Sequence, residues 1–168
     1  MRPQSLDDFL RKSRIPYTTF RHSPAFTAQH AAAASHVPGR CWAKTVVFLA
    51  GDEPILAVVP AHYTVDVEML RLLANVGALR LATPQELVAL YPDCEEGAMP
   101  PFGDLYLQRV FVDRSLVGEP EMVFQAGTHV DCIRMHYGDF DAIAHPTVGV
   151  FGSPCRGTAP VQPPMMNS

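Results

Sequence analysis

The sequence predicts a mixed α/β domain whose central sheet is curved, largely antiparallel and flanked by helices. Two observations predict it. Short β-rich runs are interrupted by helical patterns along the chain, and the runs Cys41–Ala50 and Ile55–Pro60 face each other across a Gly-Asp-Glu-Pro turn, as a β-hairpin does. At 168 residues, 48% hydrophobic and 18% charged, the chain is long and apolar enough to bury one core without disulfides or metal. We therefore expect a single domain over residues 1–151 and a frayed tail rich in Pro, Gly and Met over 152–168.

The elements follow in order. Ser5 and Asp8 have capping-box spacing ahead of Leu6, Phe9 and Leu10, so a helix is expected over about 6–13, broken by Ile15-Pro16. Tyr17–Arg21 alternates as a strand. Thr27 caps an alanine-rich helix reaching about Ser35, and Val37-Pro38-Gly39 turns the chain into the hairpin. Val65, Met69, Leu72 and Leu73 form a helical stripe after Thr64 that stops near Gly77. Leu79–Ala82 is a short strand. Thr83-Pro84-Gln85-Glu86 then gives the clearest helix start, with a cap, proline at the first helical position and glutamate at the third. Residues 93–103 read as a loop. Leu105–Asp113 reads as a strand, with Glu121–Ala126 pairing back onto it. Ile133–Met135, a short helix over Asp139–Ala144 and a last strand over Pro146–Phe151 complete the pattern.

Composition excludes several classes. The apolar runs Val46–Ala50 and Ile55–Ala61 are far shorter than the ~20 residues a membrane helix needs, and the N-terminus lacks the apolar stretch of a signal peptide. The four cysteines (Cys41, Cys94, Cys132, Cys155) are scattered, as in a reduced cytoplasmic protein, and the seven histidines show no metal-ligand spacing. We expect no metal and no cofactor. Net charge is −4, yet residues 1–44 carry +5 and the remainder −9, a polarity that suits contact with phosphate on one face.

Three places offer chemistry. Lys44, one of only two lysines, interrupts an otherwise apolar strand, where its ammonium must reach a rim or a pocket. Gly97-Ala98-Met99-Pro100-Pro101-Phe102-Gly103 sets two prolines between two glycines, a stiff loop able to aim backbone amides at an oxygen. Gly127-Thr128-His129 follows a strand end, where a histidine can enter a cleft. Nucleophile-elbow, P-loop and dinucleotide motifs do not occur.

Taken in order, these pieces resemble the YbaK/ProX family of trans-editing aminoacyl-tRNA deacylases, which includes the editing domain of bacterial prolyl-tRNA synthetases. The matching stretches are Arg21–Ala28, Ala43-Lys44-Thr45, Leu56–Ala61, Leu79–Ala82, Gly97–Gly103 and Val123–His129. The resemblance implies the editing-domain fold and hydrolysis of the ester of a mischarged tRNA, a proline tRNA carrying a small wrong amino acid. It implies a cytoplasmic protein whose partners are the acceptor end of aminoacyl-tRNA and prolyl-tRNA synthetase. Lys44, Gly97, Pro101 and His129 would form the catalytic set. Phe26, Thr27, Thr45, Ala98, Met99, Phe102 and Gly127 would hold the substrate. The nucleophile would be a positioned water or a group of the substrate itself. Alanine-clearing members carry Asn after the lysine, where this chain has Thr45, so the amino acid cleared stays open. A noncatalytic tRNA- or synthetase-binding module on the same fold is the rival reading.

Overall fold

A computed structural model describes residues 5–21 and 39–155. Helix α1 (Leu6–Ser13) starts where Ser5 Oγ accepts from the Asp8 N–H at 3.2 Å, and it stops at Arg14, whose left-handed backbone turns its N–H back to Arg11. Strand β1 (Thr18–Arg21) follows. Both expected elements are present. The helix expected from Thr27 to Ser35 lies outside the described residues.

The hairpin is β2 (Ala43–Ala50) and β3 (Glu53–Pro60), paired in unbroken register from Ala43↔Pro60 to Ala50↔Glu53. Next come β4 (Tyr63–Val65) and α2 (Val67–Ala74). The helix is capped by Asp66, and Val65, expected in the helical stripe, is instead extended in β4 and paired with Gly152. Strand β5 (Arg80–Leu81) leads into α3 (Pro84–Leu90), whose capping box is complete: the Glu86 N–H donates to Thr83 Oγ1 and the Thr83 N–H to the Glu86 carboxylate.

The run expected as one strand from Leu105 is divided. Gly103–Leu105 is a 3₁₀ turn, and β6 covers only Arg109–Asp113. Gly103 is compulsory there, since a Cβ would lie 2.0 Å from the Gln108 carbonyl oxygen. A one-turn helix α4 (Arg114–Val117), β7 (Glu121–Gln125), β8 (Asp131–His136), α5 (Tyr137–Ala144), β9 (Thr147–Gly149) and β10 (Gly152–Pro154) complete the chain.

The strands make a five-stranded sheet ordered β5-β2-β3-β6-β9, a three-stranded sheet β1-β8-β7 and a ribbon β10-β4. Five of the seven strand pairings are antiparallel; β3–β6 and β6–β9 are parallel. Strand β7 does not pair back onto β6 as the local pattern implied. It joins β8, because α4 carries the chain away from the larger sheet. Gly152–Pro154, expected to open the frayed tail, instead pair with β4, and the Asp113 carboxylate fixes their start by accepting from the Phe151 and Gly152 amides at 2.9 and 2.7 Å.

The main core lies between the two larger sheets. Val47, Leu56 and Val58 meet Met122 and Phe124 there. Phe102 is fully buried against Phe9, Phe124 and Phe140. Truncating such an aromatic costs about 3–5 kcal/mol. The other face of the larger sheet packs Phe48, Ala57 and Phe111 beneath Leu70 of α2. A small third cluster, Trp42, Ala61, Val123 and Cys132, forms where the sheets approach each other. Among the described residues no helix is long and apolar enough to cross a membrane.

Candidate functional site

Among the described residues the two sheets are joined by one backbone bridge, Trp42↔Val123, which runs parallel. Side chains alternate along a strand, and partners in a pair share a face. Lys44 therefore lies on the face of Trp42, Val46 and Phe48, while Thr45 lies on that of Ala43 and Val47. Lys44 is half-buried. Loss of hydration pushes its ammonium below the ordinary lysine range, and an ionised Cys155 thiol would oppose that shift. Thr45 is 8% exposed, and its Oγ1 has no hydrogen-bond partner among the described residues. The adjacent pair Lys44-Thr45 thus serves two faces of the sheet.

The Gly97 loop and the Gly127 turn are brought together by hydrogen bonds. Glu95–Ala98 form a β-turn closed by the Ala98 N–H to the Glu95 carbonyl at 3.0 Å. Gly97 sits at its third position with φ +84°, the left-handed backbone that such a turn demands. The Glu95 N–H donates to the Gly127 carbonyl and the Gly127 N–H to the Ala98 carbonyl, both at 2.8 Å. The Glu95 carboxylate also accepts from the backbone N–H of His129 at 2.7 Å. The β7–β8 connection is stiffened from within. Thr128 Oγ1 donates to Asp131 Oδ2 at 2.7 Å and accepts from the Asp131 N–H at 3.0 Å. Arg21 pairs with Asp131 at 3.1 Å.

The His129 ring faces Gly97. Its Cε1 lies 3.7 Å from where a Gly97 Cβ would stand, and its Nδ1 is buried with no partner among the described residues. Within the loop the Ala98 amide is already occupied, whereas those of Gly97 and Met99 donate to no protein acceptor among the described residues. The side chains of Met99 and Phe102 belong to the main core, and Pro101 is buried, so these side chains anchor the loop. Phe26 and Thr27 lie outside the described residues.

A cavity of about 600 Å³ opens on the α1 side of the same wall, lined by Leu6, Arg21, Cys94, Pro100, Gly127 and Asp131 among others. Of the expected site residues that are described, only Gly127 lines it. Among the described residues no three His, Cys, Asp or Glu side chains gather to hold a metal.

Sequence reasoning missed Glu95 and Gln125. Glu95 looks like one of several solvated acids in a loop, yet it ties both chemical segments together. Gln125 is 6% exposed at the end of β7. A lone amide in an otherwise apolar strand was the available signal.

An α+β frame with two buttressed loops at the seam between its sheets defines a class of domain, and comparison places this chain within it. Residues 22–143 match the aminoacyl-tRNA editing domain, and the chain belongs to that family. Over 109 residues it is 30% identical to the proline–tRNA ligase of Nitratidesulfovibrio vulgaris (strain Hildenborough), a match covering 63% of this chain and 19% of that enzyme. Its fold is similar to that of a proposed trans-editing enzyme for prolyl tRNA synthetase (TM-score 0.76, 24% identity, 88% of this chain and 94% of that one). It is also similar to a structure described as a hypothetical protein (TM-score 0.80, 19% identity, 89% and 100%).

Proposed function

We propose that the protein is a hydrolase that clears a small wrong amino acid from a mischarged tRNA, in trans and in the cytoplasm, with proline tRNA as the substrate. The observation that carries this reading is the paired hydrogen bonding of Glu95–Ala98 with Gly127–His129. It fixes two free amides and a buried imidazole nitrogen in one place before any substrate arrives. An aminoacyl ester is already activated, so its hydrolysis needs positioning and oxyanion stabilisation. A fixed amide donor is worth about 100- to 1000-fold in rate.

In the proposed reaction a water oxygen bonds to the ester carbonyl carbon. The carbonyl electrons move to oxygen, and the Gly97 and Met99 amides receive that charge. Collapse breaks the bond to the ribose oxygen, which takes a proton; the products are the free amino acid and tRNA with its hydroxyl restored. Lys44 holds the substrate end by charge, and His129 orients the water or a substrate group. Prolyl-tRNA synthetase is the partner that would hand over the substrate.

The test is single-turnover hydrolysis of Cys-, Ala-, Ser- and Thr-tRNA made on a proline tRNA, with wild type and Lys44→Ala. Clearance of one of these, with most of the rate lost in the variant, supports the reading. Binding of tRNA without clearance of any transfers it to a noncatalytic accessory module.

A further inference from the structure

We propose that Gln125 is a substrate-binding residue of this site, its Nε2 donating a hydrogen bond to a ribose oxygen of the terminal nucleoside that carries the amino acid. The proposal rests on the deacylase reading and adds a residue to it. Trp42↔Val123 is a parallel bridge. Two residues further along each strand, on the same face, stand Lys44 and Gln125. Strand alternation thus puts the one lysine of β2 and the one amide of β7 at corresponding positions, each two residues beyond the bridge.

Gln125 is 6% exposed, and its Nε2 has no hydrogen-bond partner among the described residues. Native proteins seldom leave a buried amide donor unmet, because it has given up water for nothing. Its surroundings say what it can meet. Gln125 pairs with Cys132, and Cys132 in turn with Phe20, whose ring makes an edge contact with Trp42. An apolar wall with one neutral donor suits an uncharged oxygen beside a flat ring, as in a nucleoside. A phosphate would call for charge there. Directly after Gln125 the chain enters the Ala126–His129 turn that is bonded to the Gly97 loop. Gln125 thus stands two residues before Gly127, whose N–H is bonded to the Ala98 carbonyl of the Gly97 loop.

The test uses the full chain with Gln125→Met, close in volume but without the donor, and Gln125→Glu, which puts an acceptor where the donor stood. Steady-state deacylation, thermal melting and calorimetric binding of an aminoacyl-adenosine amide, in which the ester is replaced by a stable amide, are measured together. We expect Gln125→Met to raise KM about tenfold, with kcat within about twofold and an unchanged or higher Tm. Gln125→Glu should be worse. Wild-type KM in Gln125→Met overturns the proposal while leaving the deacylase reading intact. A fall in Tm together with activity also overturns it, since that marks a structural hydrogen bond. If the wild type clears no ester but binds the amide, and Gln125→Met binds it about tenfold more weakly, the proposal stands and the deacylase reading falls. If the wild type does neither, both fall.

Discussion

The carboxylate of Glu95 accepts the backbone N–H of His129 at 2.7 Å, across 34 residues of chain. With the two bonds between Gly127 and the Glu95–Ala98 turn, this makes the Gly97 loop and the His129 turn one rigid unit. Glu95→Ala removes only the side-chain tie. We expect about a tenfold loss of single-turnover rate with a stability change below about 1 kcal/mol, because Glu95 is exposed. Single-turnover kinetics and melting on one preparation check both.

Gly97→Ala separates conformation from crowding. An added Cβ meets only His129 Cε1, at an ordinary 3.7 Å, but φ is +84°. The strain is about 1–2 kcal/mol and is relieved by reorienting the turn. Activity should fall by tenfold or more while the fold persists. Wild-type activity in this variant would show that the turn's backbone is not what aims the amides.

Lys44 should impose a pH signature. Burial lowers its folded pKa, while the unfolded chain keeps the ordinary value of about 10.4. Between those values the unfolded state holds more protons, so stability from this group rises with pH through that window, and the penalty is full below it. Because the ammonium is the proposed binder, enzymatic deacylation should decline on an alkaline limb below 10.4. Lys44→Arg should remove the limb, and Lys44→Met should remove most of the activity at every pH. A rate profile corrected for spontaneous ester hydrolysis decides the matter.

Thr83→Ala deletes the cap of α3 without touching the site. Loss of the bond from the Glu86 N–H should cost about 1 kcal/mol, or a drop in Tm of roughly 2–4 °C at this chain length, with deacylation unchanged. The Glu86 carboxylate, held at about 2 by Arg80 and by the Thr83 backbone, is expected to stop contributing as the pH falls from its unfolded value near 4.3 to about 2. Acid titration of the melting temperature in Glu86→Gln should therefore be flatter over that range.

Asp113→Ala should be far more damaging. This buried carboxylate accepts from the amides of Ser115, Phe151 and Gly152 and from the Ser115 hydroxyl, so its removal leaves four donors without it. We expect a loss of about 3–5 kcal/mol, read by denaturant unfolding, with β10 released first.

Local signals in the sequence were reliable where the physics is local. The Thr83 capping box needs only two residues three apart, and Ser5 with α1 is read in the same way. The β2–β3 hairpin needs only a turn and two apolar runs. Pairings chosen by distant packing were not legible. Nothing within Arg109–Gln125 says that β6 takes β3 and β9 as parallel partners while β7 leaves for another sheet. The site divides along the same line. Lys44, the Gly97 loop and His129 stand out by residue type, whereas Glu95 is marked by a partner 34 residues away and Gln125 by its burial without one among the described residues. The αL backbone of Gly97 was foreseeable from glycine between turn residues. The opposed faces of Lys44 and Thr45 follow from strand alternation once β2 is placed.

The bridge between Trp42 and Val123 has a bearing on how this family could change its diet. Strands locked by a full ladder resist lateral drift, but a seam with a single backbone rung among the described residues leaves its spacing to side-chain packing. Conservative replacements at Trp42, Val123 or Ala61, none of them in the proposed catalytic set, would change how the two sheets meet and with it the placing of Lys44 relative to the β7–β8 turn. Selectivity in such a domain can be inherited from its joinery as much as from its pocket.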